Sequence, residues 1–221
     1  MKISPKFQTI AIALIALVLI SSSCKKDKNT ITIKGVVSDA KGNTIPDVHI
    51  TLQGTVVQGG IYTSEFSDII STSSAADGSY IIETERKMAD KYRIRLFKQD
   101  YFSYNIDMLA DDVPGGKVVE KNLRLDPYAW IKLKVWNENP ITGEDKIVYK
   151  YDDDNAYNCS DCCSNENIIG EGFNYSNTLI CKLKGNDYAK ISWTVYKEGV
   201  TTGSESIFCA AFDTTEYVLN Y

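Results

Sequence analysis

The strongest constraint on the fold is a pattern of short apolar runs that begins at Ile31. Within these runs apolar and polar residues alternate, as at Val48, Ile50 and Leu52, and Gly, Pro, Asn and Asp separate one run from the next. A period of two places every second side chain on one face of a strand, and these separating residues are typical of turns. Beyond the N-terminal segment, no window of eleven or more residues keeps a helical period. The sequence therefore predicts an all-β protein.

The N-terminal segment has the layout of an export signal. Lys2 and Lys6 precede an unbroken apolar run, Ile10–Ile20, which three serines and Cys24 follow. Eleven helical residues at ~1.5 Å each span only about half of a ~30 Å hydrocarbon core, so the run is too short for a permanent transmembrane helix.

The small residues that lead into Cys24 resemble the lipobox of bacterial lipoproteins, particularly the Ser-rich form of Bacteroidetes-type bacteria. This resemblance implies that residues 1–23 are a signal peptide, that Cys24 carries the lipid, and that 24–30 form a tether. It places the protein in the cell envelope, anchored by lipid to the outer membrane, with the periplasmic and surface faces both open. The alternative is an ordinary export signal in which Cys24 is incidental.

Charge and histidine content exclude several classes of function. The chain has 24 basic and 29 acidic residues, and removal of 1–23 leaves 22 basic residues and a net charge of −7. An acidic protein is disfavoured as a nucleic-acid binder, and it reaches a membrane by lipid rather than by bulk charge. His49 is the single histidine, which argues against a histidine-rich zinc site and against common catalytic triads. We expect His49 on a strand surface, and we expect no cofactor.

Residues 31–125 carry an ordered set of short motifs that resembles the carboxypeptidase regulatory-like domain. The motifs are Ile33–Asp39, Gly42–Ile50, Asp77–Tyr80, Tyr92–Ile94 and Asp100–Phe102. The resemblance implies a seven-stranded Greek-key sandwich, similar to prealbumin (transthyretin), with a non-catalytic role. Physically, Gly35 permits a close backbone approach, and Asp77-Gly78 is a hairpin signal with a positive φ at the glycine.

Residues 56–76 form an insertion that is rich in Ser, Thr and Gly. Such a segment is either a ligand loop or an extended hairpin. Its apolar residues favour a hairpin that packs on the sandwich edge, and they are Ile61, Phe66, Ile69 and Ile70.

The alternating runs in residues 126–221 predict a second β-sandwich. It resembles no family that we recognise. Asp126-Pro127 is a plausible boundary, because proline cannot continue a strand ladder. In Trp130–Trp136 the alternation places Ile131, Leu133 and Val135 on one side and the tryptophans and lysines on the other. Further alternating runs occur at 147–151, 179–183, 189–196, 207–212 and 217–221.

Trp130 and Trp136 are candidate ligand-binding residues. Flat aromatic faces suit contacts with sugar rings, and other aromatic residues of the segment would extend such a platform; these are Tyr149, Tyr151, Tyr157 and Tyr175. The alternative is that the tryptophans lie over the sandwich edge or at the domain interface.

Five cysteines lie in the C-terminal segment, namely Cys159, Cys162, Cys163, Cys181 and Cys209. In an exported protein such cysteines favour disulfides, and an odd number leaves one thiol free or intermolecular. The simplest pairing joins two cysteines of 159–163 to Cys181 and Cys209. A zinc site and a redox Cys-x-x-Cys are the less favoured alternatives.

Asp152, Asp153 and Asp154 are weak candidates for a calcium site. They supply oxygen ligands, but their spacing is not that of an EF-hand, and acidic runs at strand ends are usually solvated turns. The prediction is therefore that no metal is bound.

Taken together, these patterns predict a non-catalytic, lipid-anchored envelope protein that binds a glycan or an outer-membrane partner protein. A structural adhesin or a fimbria-like assembly subunit is the alternative. A hydrolase that uses carboxylates is a third possibility, and no motif supports it.

Overall fold

The computed structural model describes residues 29–58, 61–152 and 159–221, and it leaves the side chains of 56–62 undescribed. Within these ranges the chain is all-β, with one 3-10 turn at Ala110–Asp112. The strands of the first half are β1 (Thr30–Ser38), β2 (His49–Gln58), β3 (Ile61–Tyr62), β4 (Ser67–Ser73), β5 (Ser79–Glu85), β6 (Ala89–Phe97), β7 (Tyr104–Leu109), β8 (Val118–Glu120) and β9 (Leu123–Arg124). Those of the second half are β10 (Tyr128–Trp136), β11 (Lys146–Tyr151), β12 (Ile168–Glu171), β13 (Ser176–Lys184), β14 (Asp187–Tyr196), β15 (Val200–Cys209) and β16 (Thr214–Asn220).

The first half is a sandwich of two sheets. One sheet has β1 between β5 and the pair β8 and β9, which meet β1 at successive positions. The other has β2 between β6 and the pair β3 and β4, with β7 beyond β6. If each of these pairs is counted as one interrupted strand, the sandwich has seven strand positions, the number that was predicted.

The predicted roles of two glycines are visible in the first sandwich. A Cβ at Gly35 would overlap the carbonyl of Lys121, so the backbones approach more closely there than a side chain allows. Gly78 has φ +77° in the turn before β5, and a Cβ there would lie 2.8 Å from the Val37 carbonyl oxygen.

The described strands of the insertion 56–76 form an extended hairpin, the interpretation that was favoured, but Ile70 is 36% exposed rather than packed on the sandwich edge. β4 pairs antiparallel with β2, and Ile69 packs against the first core. Phe66 lies under the Arg93 guanidinium at 3.9 Å. His49 is exposed at the start of β2, as predicted.

The second half is also a sandwich, as its alternating runs predicted. Its three-stranded sheet has the order β13-β10-β16, with β16 parallel to β10, and its four-stranded sheet has the order β12-β11-β14-β15. The first hydrophobic core ends at Leu125 and the second begins at Ala129. Asp126-Pro127 lies between them.

A packed joint connects the two sandwiches. The ring of Tyr101 meets Phe212 edge to face at 5.3 Å, and Phe102 meets Tyr128 at 5.7 Å. The Tyr128 hydroxyl donates to Asp100 Oδ1 at 3.0 Å. Burial and this carboxylate both raise the pKa of Tyr128, so the phenol remains a donor at neutral pH.

Candidate interaction surface on the second sandwich

The outward row of β10 contains the two candidate tryptophans. Ala129, Ile131, Leu133 and Val135 are fully buried, while the residues between them face outward and are half-buried. Trp130 and Trp136 therefore share one face, as the alternation predicted. Six residues at ~3.4 Å each separate them by about 20 Å, so they form two contact points rather than one continuous platform.

A charged patch fills the space between the tryptophans. Lys132 Nζ lies 3.2 Å from Glu216 Oε2, and Lys134 Nζ contacts the other oxygen of the same carboxylate. The hydrogen bonds from Lys134 and Lys132 lower the pKa of Glu216. A ligand that reaches both tryptophans must therefore pass over a zwitterionic patch.

The Trp130 end of this face is an aromatic cluster with one ammonium group. Lys182 Nζ lies 4.3 Å from the ring centre of Tyr128 and 5.0 Å from that of Trp130, distances that are typical of cation–π contacts. The same ammonium pairs with Asp161 at 2.8 Å and lowers the pKa of that carboxyl. Because Tyr128 also belongs to the joint, Trp130 lies beside the domain interface, whereas Trp136 lies at the far end of β10.

The prediction that tyrosines extend the platform of Trp130 and Trp136 is wrong in part. Tyr149 and Tyr151 occupy inward positions of β11 and are 1% and 3% exposed, so they belong to the core. The Tyr149 hydroxyl is 3.1 Å from that of Tyr175 and accepts a hydrogen bond from Asn177 at 3.0 Å. Burial raises the pKa of both core tyrosines. Tyr157 lies outside the described residues.

Disulfides were predicted and are present. Cys159 is bonded to Cys162, and Cys163 to Cys181. The expected pairing is therefore right for Cys181 and wrong for Cys209, which is a free, fully buried thiol. Cys209 ends β15 in the four-stranded sheet, whereas the cysteine segment adjoins β13 in the opposite sheet. Burial raises the pKa of the Cys209 thiol.

The cysteine segment, residues 159–163, pairs with the outer edge of β13 at one residue, Lys182. The Cys163 amide donates to the Lys182 carbonyl at 3.0 Å, and the Lys182 amide donates to the Asp161 carbonyl at 2.7 Å. The Cys163–Cys181 bridge holds this short addition against the second core. The amide and carbonyl of Lys182, which would otherwise lie unpaired at the edge, are thereby paired.

The weak calcium candidates and the predicted lipid position are only partly described. Asp152 pairs with Lys150 at 3.0 Å, and hydrogen bonds from Ser192 and Lys150 lower its pKa. Asp153, Asp154 and Cys24 lie outside the described residues. In the parts of the chain that are described, no three His, Cys, Asp or Glu side chains are arranged to hold a metal ion, and no helix is long and apolar enough to cross a membrane.

A buried polar cluster beyond β10 was not predicted. Asp145 is 2% exposed and accepts hydrogen bonds from the Ile141 amide at 2.7 Å, from Asn137 Nδ2 at 3.2 Å, and from the amide and hydroxyl of Thr142. Lys197 Nζ donates to Asn137 Oδ1 at 2.9 Å. Burial opposes ionisation of Asp145, but these hydrogen bonds outweigh it and lower its pKa to about 2. The sequence signal was only a polar, turn-rich composition.

Comparisons with known proteins reveal remote likenesses only. No family model matches the chain, and no curated protein matches it. Three solved structures illustrate the range. The Bacillus anthracis TIE protein has a TM-score of 0.37 at 9% identity over 86% of this chain, a Streptococcal ancillary pilin 0.35 at 12% over 88%, and the 3-chlorocatechol 1,2-dioxygenase of Rhodococcus opacus 1CP 0.35 at 10% over 46%.

The matched regions differ in how much of each known protein they include. The chain spans 34% of the TIE protein, 63% of the pilin and 61% of the dioxygenase. With TM-scores this low, the likenesses carry no argument about function. The functional proposals below therefore depend on the residues and contacts of this chain.

Proposed function

We propose that this chain is a non-catalytic structural subunit of the cell envelope, anchored to the outer membrane by lipid on Cys24, that acts in assembly or adhesion. The observation that carries the proposal is the serial arrangement of tether, first sandwich, joint and second sandwich. β1 begins six residues after Cys24, and its last residue, Ser38, accepts a hydrogen bond from Leu125 just before the joint. Nine strand residues span about 30 Å. A lipid at Cys24 would thus hold the second sandwich about one domain length from the bilayer.

Two further observations support this role. The disulfides of the second sandwich fit an exported protein, because cytosolic thiols are kept reduced. The close approach at Gly35 and the positive φ of Gly78 fit the resemblance of residues 31–125 to carboxypeptidase regulatory-like domains. Domains of that family are appended to other proteins as stabilising or interaction modules.

The anchor is tested by fractionation of cells that express the full chain. Cys24→Ser should move the protein from the membrane fraction to the soluble fraction, because it removes the residue that carries the acyl chains, and stable anchoring requires them. Cys209→Ala is the matched control, since it removes the free thiol of the second sandwich and should leave the protein in the membrane. Retention of the Cys24→Ser protein after a high-salt wash would show that lipid on Cys24 is not the anchor.

Glycan binding is a second candidate, favoured by the half-buried tryptophans on one face of β10. Because they lie about 20 Å apart, the ligand that fits both is an extended chain of several sugars rather than one ring. Trp136 is the better single contact, because Trp130 already packs against Tyr128 and Lys182.

Tryptophan fluorescence during polysaccharide titration tests this candidate. Trp136→Ala should abolish the spectral change and Trp130→Ala should weaken it. Trp193→Phe is the control, since Trp193 packs over Gly203 on the opposite sheet and should not affect binding. Unchanged titrations in both alanine variants would exclude this face as the glycan site.

A further inference from the structure

The edge formed by β15 is long and unpaired. All ten residues, Val200–Cys209, pair with β14 without a break in register. β15 is the last strand of its sheet, and no described strand pairs with its other side. An edge of this kind presents amide and carbonyl groups that can accept another strand. One of them, the Phe208 carbonyl, accepts a hydrogen bond from the Thr215 hydroxyl at 3.5 Å.

Two other edges of the molecule carry features that β15 lacks. The edge strand β5 carries two charged residues, Glu83 and Glu85, and the cysteine segment pairs with the edge of β13 at Lys182. β15 contains no proline or lysine, and Glu205 is its one charged residue. Charges, proline and bulges are the usual means by which proteins prevent edge-to-edge pairing.

β15 is complementary to itself in one antiparallel register. With Ser204 opposite Ser204 of a second copy, Val200 lies opposite Phe208 and Thr202 opposite Ser206. The same register places Glu205 opposite Gly203, so that the two carboxylates do not face each other. A register centred on Glu205 would instead oppose like charges, which is destabilising.

This register also covers exposed apolar surface. Val200 is 64% exposed and Phe208 is 45% exposed. Their neighbours on β14 are Tyr196 and Tyr188, which are 41% and 55% exposed. Across the paired edges these residues form two rows, each in the order Tyr188, Phe208, then Val200 and Tyr196 of the second copy. Aromatic and β-branched cross-strand contacts stabilise such sheets.

We propose that two copies of this chain associate antiparallel through β15, with Ser204 on the two-fold axis, and form one continuous eight-stranded sheet. The partner is a second copy rather than an unrelated peptide, because the exposed apolar residues and the single charge of β15 match in its own register. The inference rests on the proposed assembly role, for which it supplies a specific contact.

Engineered cysteines in the full, membrane-bound chain test the register. In cells treated with a mild copper-phenanthroline oxidant, Ser204→Cys should yield a covalent dimer on a non-reducing gel, because the two residues face each other within disulfide reach. Ser206→Cys is the matched control, an exposed serine on the same face. Its copies would lie about 14 Å apart in this register, so the protein should remain monomeric.

A double variant, Thr202→Cys with Ser206→Cys, should restore the covalent dimer. In this register the cysteine at 202 of each copy lies opposite the cysteine at 206 of the other copy. Monomer in both Ser204→Cys and the double variant would overturn the proposal, and so would equal dimer from Ser204→Cys and Ser206→Cys. Fractionation of the same cells separates the two ideas. If the cross-links fail while Cys24→Ser still releases the protein, the β15 contact is wrong and the anchor stands.

Discussion

The two sandwiches share one arrangement of layers but differ in how they are stabilised. Each has a sheet with three strand positions against a sheet with four. Among the described residues, the first core contains sixteen buried apolar side chains and the second thirteen, of which Cys209 is one. The first sandwich has no cysteine, whereas the second has two disulfides. The smaller core is thus the one with covalent support.

The difference extends to buried charge. Among the described residues the second sandwich buries one carboxylate, Asp145, whereas the buried polar side chains of the first sandwich are neutral; these are Thr32, Thr51, Gln53, Thr55 and Ser74. Such groups are stable only while their partners are present, because an unpaired buried polar atom loses its hydration without replacement. We therefore expect the second sandwich to be more sensitive to reduction and to acid. All three tryptophans lie in it, so their fluorescence reports on the unfolding of this sandwich and, through the contact of Trp130 with Tyr128, on the joint.

The largest effect should come from core truncation in each half. Ile94 and Ile191 are both fully buried, and replacement by alanine should cost about 2–5 kcal/mol in each case. Ile191→Ala should lower the urea midpoint that tryptophan fluorescence records. Circular dichroism records the unfolding of both sandwiches, and fluorescence records the second. Ile94→Ala should therefore lower a circular dichroism midpoint and leave the fluorescence midpoint unchanged. An equal fluorescence shift from Ile94→Ala would show that the joint makes the two halves unfold as one unit.

Removal of the Cys163–Cys181 bridge should have the next largest effect. The bridge closes a loop with a sequence separation of 18, for which loop entropy predicts about 3 kcal/mol. Cys163→Ala with Cys181→Ala should lower the tryptophan-monitored midpoint accordingly. The matched control is Cys159→Ala with Cys162→Ala, whose separation is 3 and whose effect should be smaller. Equal losses from the two pairs would show that loop size does not determine the contribution.

Acid should distinguish the halves through Asp145. Its folded pKa of about 2 lies below the ordinary value of 3.8, so the folded state favours the carboxylate. Its contribution to stability is complete above pH 3.8 and is lost as pH falls towards about 2. As the pH is lowered through this range, the urea midpoint that fluorescence records should fall less in Asp145→Asn than in the unmodified protein. Glu144→Gln, at the exposed position next to Asp145, is the control, and an unchanged decline in Asp145→Asn would refute the assignment.

The sequence predicted the strands that alternate and missed those that do not. Ile131, Leu133 and Val135 identified β10, because one face of that strand is buried. The polar stretch Val200–Ser206 was not predicted as a strand. It is extended because it pairs with β14, and pairing between distant residues leaves no periodic trace in a mostly exposed edge.

The candidate site was predictable to a similar extent. Alternation was sufficient to place Trp130 and Trp136 on one outward face, but it did not identify Glu216, which reaches the lysines between them from β16. The partner of Cys181 could not be chosen from spacing, because it depends on which strand edge the cysteine segment adjoins. The cluster around Asp145 depends in the same way on backbone amides that only the fold brings together.

The smallest effect that should still separate the halves is the loss of one tyrosine hydroxyl. Tyr149→Phe removes the contacts to Tyr175 and Asn177 and should lower the fluorescence midpoint by the equivalent of about 1 kcal/mol. Tyr92→Phe is the matched change in the first core, where the hydroxyl donates to the Lys87 carbonyl at 2.8 Å. It should leave the fluorescence midpoint unchanged. If Tyr149→Phe leaves the fluorescence midpoint unchanged, water hydrogen-bonds to Asn177 in place of the hydroxyl. The buried polar group that stabilises the second sandwich is then Asp145 rather than Tyr149.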